Sequence, residues 1–372
     1  MSAATTAVPR SRRLRTRLPG SGILDLLAGP AGVDGYLEQV RPTWAVHDCR
    51  AEITDVRHGT PDSVTLTLRA NRAWQGFRAG QFVQVAVEIE GVRRTRCYSP
   101  ASVAGKSREL ELTVKSHSEG LVSNFLIDRA RPGMVLALEQ AEGDFQLPDT
   151  RPERVLLISG GSGITPVMSM LRTLCAEDHS GPLTFLHFAP DAEHAIYRRE
   201  LERIVAEHPN VHLIRSYTRA PGTGEADGHF ERAQLERMEP DYALAETFAC
   251  GPPALLDAVR EMWAADGIES RLHVESFVPP TLVPSSGVAG GSIHFAGSGL
   301  RIDNSGGSLL EQAESAGLTP ETGCRMGICH TCSCRKTAGN VKNLVTGEVS
   351  SDEDEEIQIC VSAPIGDVVV EL

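Results

Sequence analysis

The spacing of hydrophobic positions changes twice along this chain, and the changes divide it. From residue 46 to 148, apolar and polar residues alternate in short runs: SVTLTL, QFVQVAVEI, ELELTV and MVLALE. Gly, Pro and Asp separate the runs. Alternation of period two, broken at short intervals, predicts antiparallel strands closed into a barrel or sandwich. Near Arg154 the pattern becomes RVLLISGG, an apolar run ending in glycines, followed by PVMSMLRTLCA with helical spacing. LTFLHFA, YRRELERIVAEH, VHLIRSYTR and ETFACGPPALLDAVREMWAADG repeat the strand-then-helix order, which predicts a parallel α/β sheet over 149–277. Residues 278–291, VPPTLVPSSGVAGG, read as a linker. Residues 292–372 read as a compact unit with strands SIHFAG, GLRID and DVVVEL and a helix at SLLEQAESAG. Ahead of all this, residues 1–45 form an extension: an Arg-rich arm, then one or two short helices in GILDLLAGPAGVDGYLEQV. No internal repeat is apparent.

Composition narrows the picture. A chain of 372 residues exceeds one ordinary core, so two or three domains are expected. Hydrophobic content of 41% and charged content of 23% are those of a soluble globular protein. No apolar run reaches the ~18–20 residues needed to cross a bilayer, so the chain is not expected to span a membrane. The first twenty residues are Arg-rich and acid-poor but lead into no apolar core, which argues against secretion. A transit peptide and a disordered basic arm remain alternatives, and the arm, with a cytoplasmic location, is our reading.

The formal charge of −13 argues against nucleic acid as a partner. Acids concentrate late: residues 292–372 hold 12 acids against 5 bases. That excess suits a docking face for a basic protein, or simply a solvated surface. Nine cysteines in a chain without an export signal do not suggest a disulfide framework, and four of them lie between Cys324 and Cys334.

Within that group, Cys324, Cys329 and Cys332 are spaced C-x4-C-x2-C, and Cys360 follows 28 positions later. This is the ligand spacing of a plant-type [2Fe–2S] cluster. Such a cluster needs three thiolates from one loop and a fourth from elsewhere. Gly323 and Gly327 would let the loop bend so that its amides face the sulfurs. Structural zinc usually pairs two C-x2-C units, whereas Cys360 stands alone. Cys334 is a spare thiol that packs or sits beside the cluster, with replacement of Cys332 as the lesser alternative, and His330 is a neighbour of the loop rather than a ligand.

Two further motifs bear on phosphate binding. RTRCYSP places Arg96, Tyr98 and Ser99 on a strand of the alternating region, and VKSHSEGLVSNFL follows some twenty residues later. There Gly120, Val122 and Ser123 open a helix whose free amides suit a phosphate, or Gly120 merely caps it. GGSGITP, from Gly160 to Pro166, joins an apolar strand to a helix. Its glycines, Gly160, Gly161 and Gly163, permit close approach of a pyrophosphate, Thr165 suits an N-cap and Pro166 the first turn. It does not match G-x-G-x-x-G. ACGPP, with Cys250, Gly251 and Pro252, comes later in the same α/β region.

Taken together and in this order, the motifs R-x-Y-S, G-x-x-S, the glycine turn, C-G-P and the cysteine loop resemble those of the ferredoxin–NADP reductase superfamily, over about residues 46–372. The likeness is to the branch of oxygenase and desaturase reductases that end in a [2Fe–2S] ferredoxin domain. It implies three domains: an antiparallel β-barrel for flavin, a parallel α/β domain for the nicotinamide, and a β-grasp ferredoxin domain. It implies that Arg96 pairs with the flavin phosphate, Tyr98 stacks on the isoalloxazine, Ser99 bonds near its reactive nitrogen, and Val114, Gly120, Val122 and Ser123 complete the site. FAD is the expected flavin and FMN the alternative. Cys250 would lie beside the nicotinamide where hydride passes, with Phe277 of HVESF covering one of the rings. Thr218 and Arg219 sit where NADP-binding members hold the 2′-phosphate, so NADPH is expected ahead of NADH. His229-Phe230 is a rough match to the aromatic partner, and Arg198 and Arg199 are further phosphate candidates or a solvated helix face.

The implied function is electron transfer from NADPH through flavin and cluster to a separate iron protein. The resemblance of the 1–45 extension to actinobacterial reductases of acyl desaturases suggests a di-iron desaturase, with a hydroxylase or oxygenase as the broader class, and a peripheral membrane location through such a partner. A reductase of free ferric chelates or quinones and a redox sensor read out by protein binding are the competing readings.

Overall fold

The computed structural model describes residues 42–45, 48–118, 120–277, 290–327 and 329–372. The expected short helices at the N-terminus and most of the 278–291 linker lie outside them. At the start of the described chain Pro42–Trp44 forms a single 3-10 turn.

The first domain is the expected antiparallel barrel. Its strands are β1 (Arg50–Thr60), β2 (Ser63–Ala70), β3 (Val83–Ile89), β4 (Val92–Tyr98), β5 (Glu109–Lys115) and β6 (Val135–Leu138). They pair in the order β4-β3-β6-β1-β2-β5, and a bridge between Pro100 and Leu112 joins the end of β4 to β5 and closes the sheet. Val64, Leu66 and Leu68 of β2, Val83 and Val85 of β3, and Leu110, Leu112 and Val114 of β5 fill the interior. Helix α1 (Leu121–Arg129) lies against β2, β3, β4 and β5 and plugs the barrel with Val122 and Leu126.

The second domain is a parallel sheet of β7 (Val155–Gly160), β8 (Leu183–Ala189), β9 (Val211–Tyr217), β10 (Ala226–Asp227), β11 (Glu246–Cys250) and β12 (Leu272–Glu275), in the order β10-β9-β8-β7-β11-β12. Every residue of β7 and β8 is buried, as a sheet with helices on both faces requires. α2 (Ile164–Ala176) and α3 (Arg198–Glu207) cover one face, and α4 (Arg232–Met238) and α5 (Pro253–Ala265) the other. The chain starts at β7, winds outward through β10, then returns to the other side at β11. The reversal opens a crevice beyond the carboxyl ends of β7 and β11, where ligands of such sheets bind.

Barrel and sheet share a core, because Ala79, Ala101, Phe145 and Leu147 of the barrel side pack with Ile164, Val167 and Leu171 of α2. Arg172 of α2 fastens the joint. Its guanidinium donates to the Ala101 carbonyl at 2.6 Å and to Glu111 of β5 at 2.7 Å, and pairs in fork fashion with Glu200 of α3. Its remaining face lies 4.8 Å from the centre of the Tyr197 ring, whose hydroxyl meets Thr113 of β5.

The third domain has a mixed sheet of β13 (Ser292–Phe295), β14 (Leu300–Asp303), β15 (Ser333–Asn343), β16 (Val349–Ser350), β17 (Glu355–Gln358) and β18 (Ser362–Val370). The order is β14-β13-β18-β15-β16, with β17 on β15, and β13 runs parallel to β18. α6 (Leu309–Ser315) packs on this sheet as in a β-grasp. Its start follows from sequence: Ser308 accepts from the Glu311 amide while Glu311 reaches back to the Ser308 amide, a reciprocal cap.

Candidate functional site

Three groups of residues gather where the domains meet. The first lies on β4. Antiparallel pairing sets Arg96 opposite Val85 and Tyr98 opposite Val83, so both side chains share one face of the strand. Among the described residues Arg96 has no carboxylate partner; its Nη1 donates to the Thr95 carbonyl at 2.8 Å. Burial pushes the Tyr98 phenol well above its ordinary range. Ser99 is buried, and among the described residues its hydroxyl has no hydrogen-bond partner. Gly120 is the N-cap of α1 with no side-chain cap, which leaves the helix amides open to an anion. A Cβ on Gly120 would fall 2.2 Å from Ser123 Oγ and 3.0 Å from His117 Cβ, so a side chain there would crowd the start of the helix. Val114 and Val122 are buried beneath.

The second group occupies the crevice at the sheet reversal. A Cβ on Gly163 would lie 2.3 Å from the Cys250 carbonyl oxygen, and one on Gly160 would lie 2.7 Å from Pro252 Cδ. Gly251 is as tight, 2.9 Å from Leu255 Cδ2. The two glycine turns, ninety residues apart in sequence, therefore touch, and backbone amides line the gap between them. Thr165 corrects one expectation. Gly161–Gly163 forms a 3-10 turn and Gly163 is the N-cap of α2, so Thr165 is inside the helix, with Oγ1 donating to the Ser162 carbonyl at 3.3 Å. The N-cap role passes to glycine because any Cβ at residue 163 would strike Cys250. Pro166 stays in the first turn as expected.

Behind these turns runs a row of buried polar groups. In register across β12, β11, β7 and β8 stand Glu275, Cys250, Ser159 and His187. Ser159 Oγ is 2.8 Å from His187 Nδ1. Burial, with the charge of Lys115 adding, lowers His187 to about 4, so the ring is neutral at physiological pH. Burial pushes Glu275 up to about 8, and its Oε2 has no partner. Cys250 is raised by burial and then by Glu275. Phe277 packs against the shared core rather than standing free.

At the far end of the crevice, Thr218 and Arg219 follow β9, held by amide bonds to the Ala189 and Pro190 carbonyls at 2.9 and 2.8 Å. Among the described residues Arg219 has no ion pair. Arg198 pairs with Glu202 one turn on, the solvated-face reading. Phe230 meets Phe188 edge to face.

The third group is the cysteine loop. Cys324 and Cys329 lie together, their Sγ atoms within 4.8 Å of each other, and Cys332 faces Cys360. Amides point at the sulfurs, Cys324 N at Cys329 Sγ (3.1 Å) and Met326 N at Cys324 Sγ (3.3 Å). The Gly327 amide serves Cys360. A Cβ on Gly323 would sit 2.6 Å from Cys329 Sγ, and Gly327 adopts φ +76°. Cys332 is pulled down to about 7, mainly by its bond from Cys360. Cys334 sits in the domain core, with Sγ 3.8 Å from the Arg335 carbonyl. His330 lies 3.0 Å from Gln358.

These donor sets fit the groups the resemblance implied. Two thiol pairs lined by amides suit one iron each. An unpaired Arg, an uncapped helix and an unpartnered buried hydroxyl suit a flavin. A glycine cradle at a sheet reversal suits a pyrophosphate.

The third group brings in residues that sequence reasoning missed. Phe82 of the barrel packs with Cys324, Cys329 and Met326, and Thr331 donates to Gln84 at 3.2 Å. Cys97, inside the R-x-Y-S motif, has its Sγ within 4.8 Å of those of both Cys324 and Cys329. Strand parity held the signal: Phe82 immediately precedes β3, Gln84 lies two residues on within it, and Gln84 pairs with Cys97.

Comparison with known proteins agrees. The oxidoreductase FAD-binding domain matches residues 51–147, the oxidoreductase NAD-binding domain 157–261, and the 2Fe-2S iron-sulfur cluster binding domain 293–364. This chain is therefore an NAD(P)H-dependent flavin and iron–sulfur oxidoreductase. It belongs to the ferredoxin–NADP reductase superfamily, in the arrangement with a C-terminal [2Fe–2S] domain. It is 35% identical to an NADPH oxidoreductase of Mycobacterium tuberculosis, over 91% of this chain and 88% of that one. It is 33% identical to the glycine betaine monooxygenase reductase subunit of Pseudomonas aeruginosa, over 79% and 87%. The structure of phthalate dioxygenase reductase shares its fold, with a TM-score of 0.60, 24% identity and coverage of 87% and 97%.

Proposed function

We propose that this protein is the reductase component of a two-protein system, drawing electrons from NADPH and delivering them to a separate iron oxygenase. The observation that carries the reading is the seating of the Cys324–Cys329 loop on the strand that bears Arg96, Tyr98 and Ser99. When bound, flavin accepts a hydride and the cluster passes its two electrons on singly. Arg96 and the α1 amides hold the flavin phosphate, Tyr98 gives the ring a flat apolar face, and Ser99 supplies the hydroxyl near its edge. The Gly160–Gly163 and Cys250–Pro252 turns hold the pyrophosphate, and Cys250 and Glu275 bound the nicotinamide end. Arg219 recognises the 2′-phosphate, a choice supported by the mycobacterial relative's preference as its name states it.

The oxygenase acceptor is supported by the Pseudomonas relative, named as a monooxygenase subunit. A groove beside the cluster loop, lined by His330, Gln358, Asp352, Glu355 and Glu356, offers that partner an acidic rim. A fatty-acyl desaturase is the narrower acceptor. It rests on the first 45 residues, of which all but Pro42–Ala45 lie outside the described structure. Among the described residues no helix is long and apolar enough to cross a membrane.

Anaerobic addition of NADPH tests the first half. The flavin should bleach and the cluster after it, and an unchanged spectrum would overturn the reading. Cys360→Ser should bleach at the flavin only. Reoxidation by an iron oxygenase or desaturase, slowed by salt as an acidic docking rim requires, tests the second half.

A further inference from the structure

β4 separates two cofactor sites. Arg96 and Tyr98 face one way, toward the residues that fit a flavin. Cys97 faces the other way, in register with Gln84, and the cysteine loop covers that face. Phe82 packs on Cys324, Cys329 and Met326, Gln84 accepts from Thr331, and the Cys97 thiol completes a triangle with Cys324 and Cys329. Cys332 and Cys360 face each other. The Cys324/Cys329 pair is thus the one turned to the flavin strand.

We propose that Cys97 is a positioning residue for electron transfer from flavin to cluster: the Cys324/Cys329 edge of the cluster rests on its thiol. This rests on the assignment of flavin to Arg96–Ser99 and of the cluster to the four cysteines. A thiol suits the place for two reasons. It is small and apolar enough to sit in the contact with Phe82 and Met326. Its S–H is also a weak donor, and hydrogen bonds to cluster sulfurs favour the reduced, more negative cluster. In each transfer one electron leaves the reduced flavin and one ferric iron becomes ferrous. Two transfers, with the cluster reoxidised by the partner iron protein between them and one proton released to solvent, would restore the oxidised flavin.

The test uses the full-length protein carrying both cofactors. Wild type, Cys97→Ser and Cys97→Val are reduced by NADPH in a stopped-flow instrument, and the reduced cluster is counted by EPR in half-reduced samples. Cys97→Ser keeps a donor of similar size, whereas Cys97→Val keeps bulk without the donor. Cys97→Val should reduce its flavin at the wild-type rate but pass electrons to the cluster about tenfold more slowly, equivalent to ~1.4 kcal/mol of barrier. Its share of reduced cluster should fall, and Cys97→Ser should stay close to wild type in both. A purely structural role would not split the two rates or move the cluster's share. Wild-type transfer and share in Cys97→Val would overturn the proposal. Should Cys97→Val lose its flavin, Cys97→Ala, which adds no bulk, is read in the same way.

The contact is also read without turnover. In full-length Cys329→Ser protein freed of cluster, diamide should join Cys97 to Cys324, the two thiols giving their hydrogens to the diazene. Peptide mapping that finds Cys97 unmodified would overturn the contact. Failure of wild-type flavin to bleach with NADPH would instead strike the functional reading on which the proposal rests.

Discussion

Glu275→Gln should stabilise the nicotinamide domain, and only at neutral to alkaline pH. Glu275 ends β12 beside Cys250, is 8% exposed, and has an oxygen without a partner. Burial lifts its carboxyl from 4.5 to about 8. The unfolded chain releases that proton from about pH 4.5 upward, while the folded chain keeps it until about 8. Between those values the unfolded state binds fewer protons, so stability falls as pH rises, and the loss is complete above 8. At 1.36 kcal/mol per unit, the ceiling is ~5 kcal/mol. Relaxation and water entry in the unliganded crevice reduce this, and a gain of about 2 kcal/mol, or roughly 5–10 °C for a domain of this size, is the working figure. Glutamine has the same shape and no charge to bury. Melting followed by circular dichroism at pH 5 and at pH 8.5 checks this. The variant and wild type should melt within a degree or two at pH 5 and separate at pH 8.5. An equal gap at the two pH values would refute the reasoning, since only a titrating group makes the difference depend on pH.

Other changes probe the rest of the site. Arg172→Met leaves Glu111 and Glu200 at the barrel–sheet joint without their shared cation, and should cost about 2–4 kcal/mol in urea unfolding, with earlier loss of flavin. Gly163→Ala drives a methyl into the Cys250 carbonyl, so the KM for NADPH should rise at least tenfold while the cluster spectrum stays unchanged. Arg219→Gln removes one charge-assisted contact of ~1.5–3 kcal/mol, so kcat/KM for NADPH should fall about 10- to 100-fold and that for NADH should barely move.

Much of this was legible because the strongest local signals coincided with buried elements. β7, β8 and β11 are short, mostly apolar and almost wholly buried, since both faces of a parallel sheet are covered. The cluster ligands were legible because a loop supplying three thiolates leaves few permissible spacings. Polar strands were not. β4, VRRTRCY, has no fully buried residue, and β15, SCRKTAGNVKN, is held by pairing with β17 and β18 rather than by apolar alternation. β15 even buries Lys336 completely, its ammonium held by the Gly339 and Asp352 carbonyls and near Glu355. Contacts between domains have no local pattern at all. The Arg172 fork, the Tyr197–Thr113 contact and the Cys97 triangle join residues that are far apart in sequence. Thr165 was misplaced for a related reason: the steric limit at Gly163 is imposed by Cys250, and no reading of GGSGITP alone contains it.

The register of β3 on β4 ties the two ends of the electron path together. With Val83 opposite Tyr98 and Gln84 opposite Cys97, odd and even positions of the same seven-residue strand stand beside the two faces that we assign to different cofactors. A slip of one residue would turn Arg96 and Tyr98 toward the cysteine loop and Cys97 toward the flavin, destroying both sites together. The barrel strand cannot then drift to suit one cofactor without losing the other. Lys336 acts in the same sense on the far side of the cluster, since its hold on Asp352 fixes the acidic segment that leads through β17 to Cys360. Backbone register thus sets which face of β4 meets the cysteine loop, and one buried cation holds the segment that leads to Cys360.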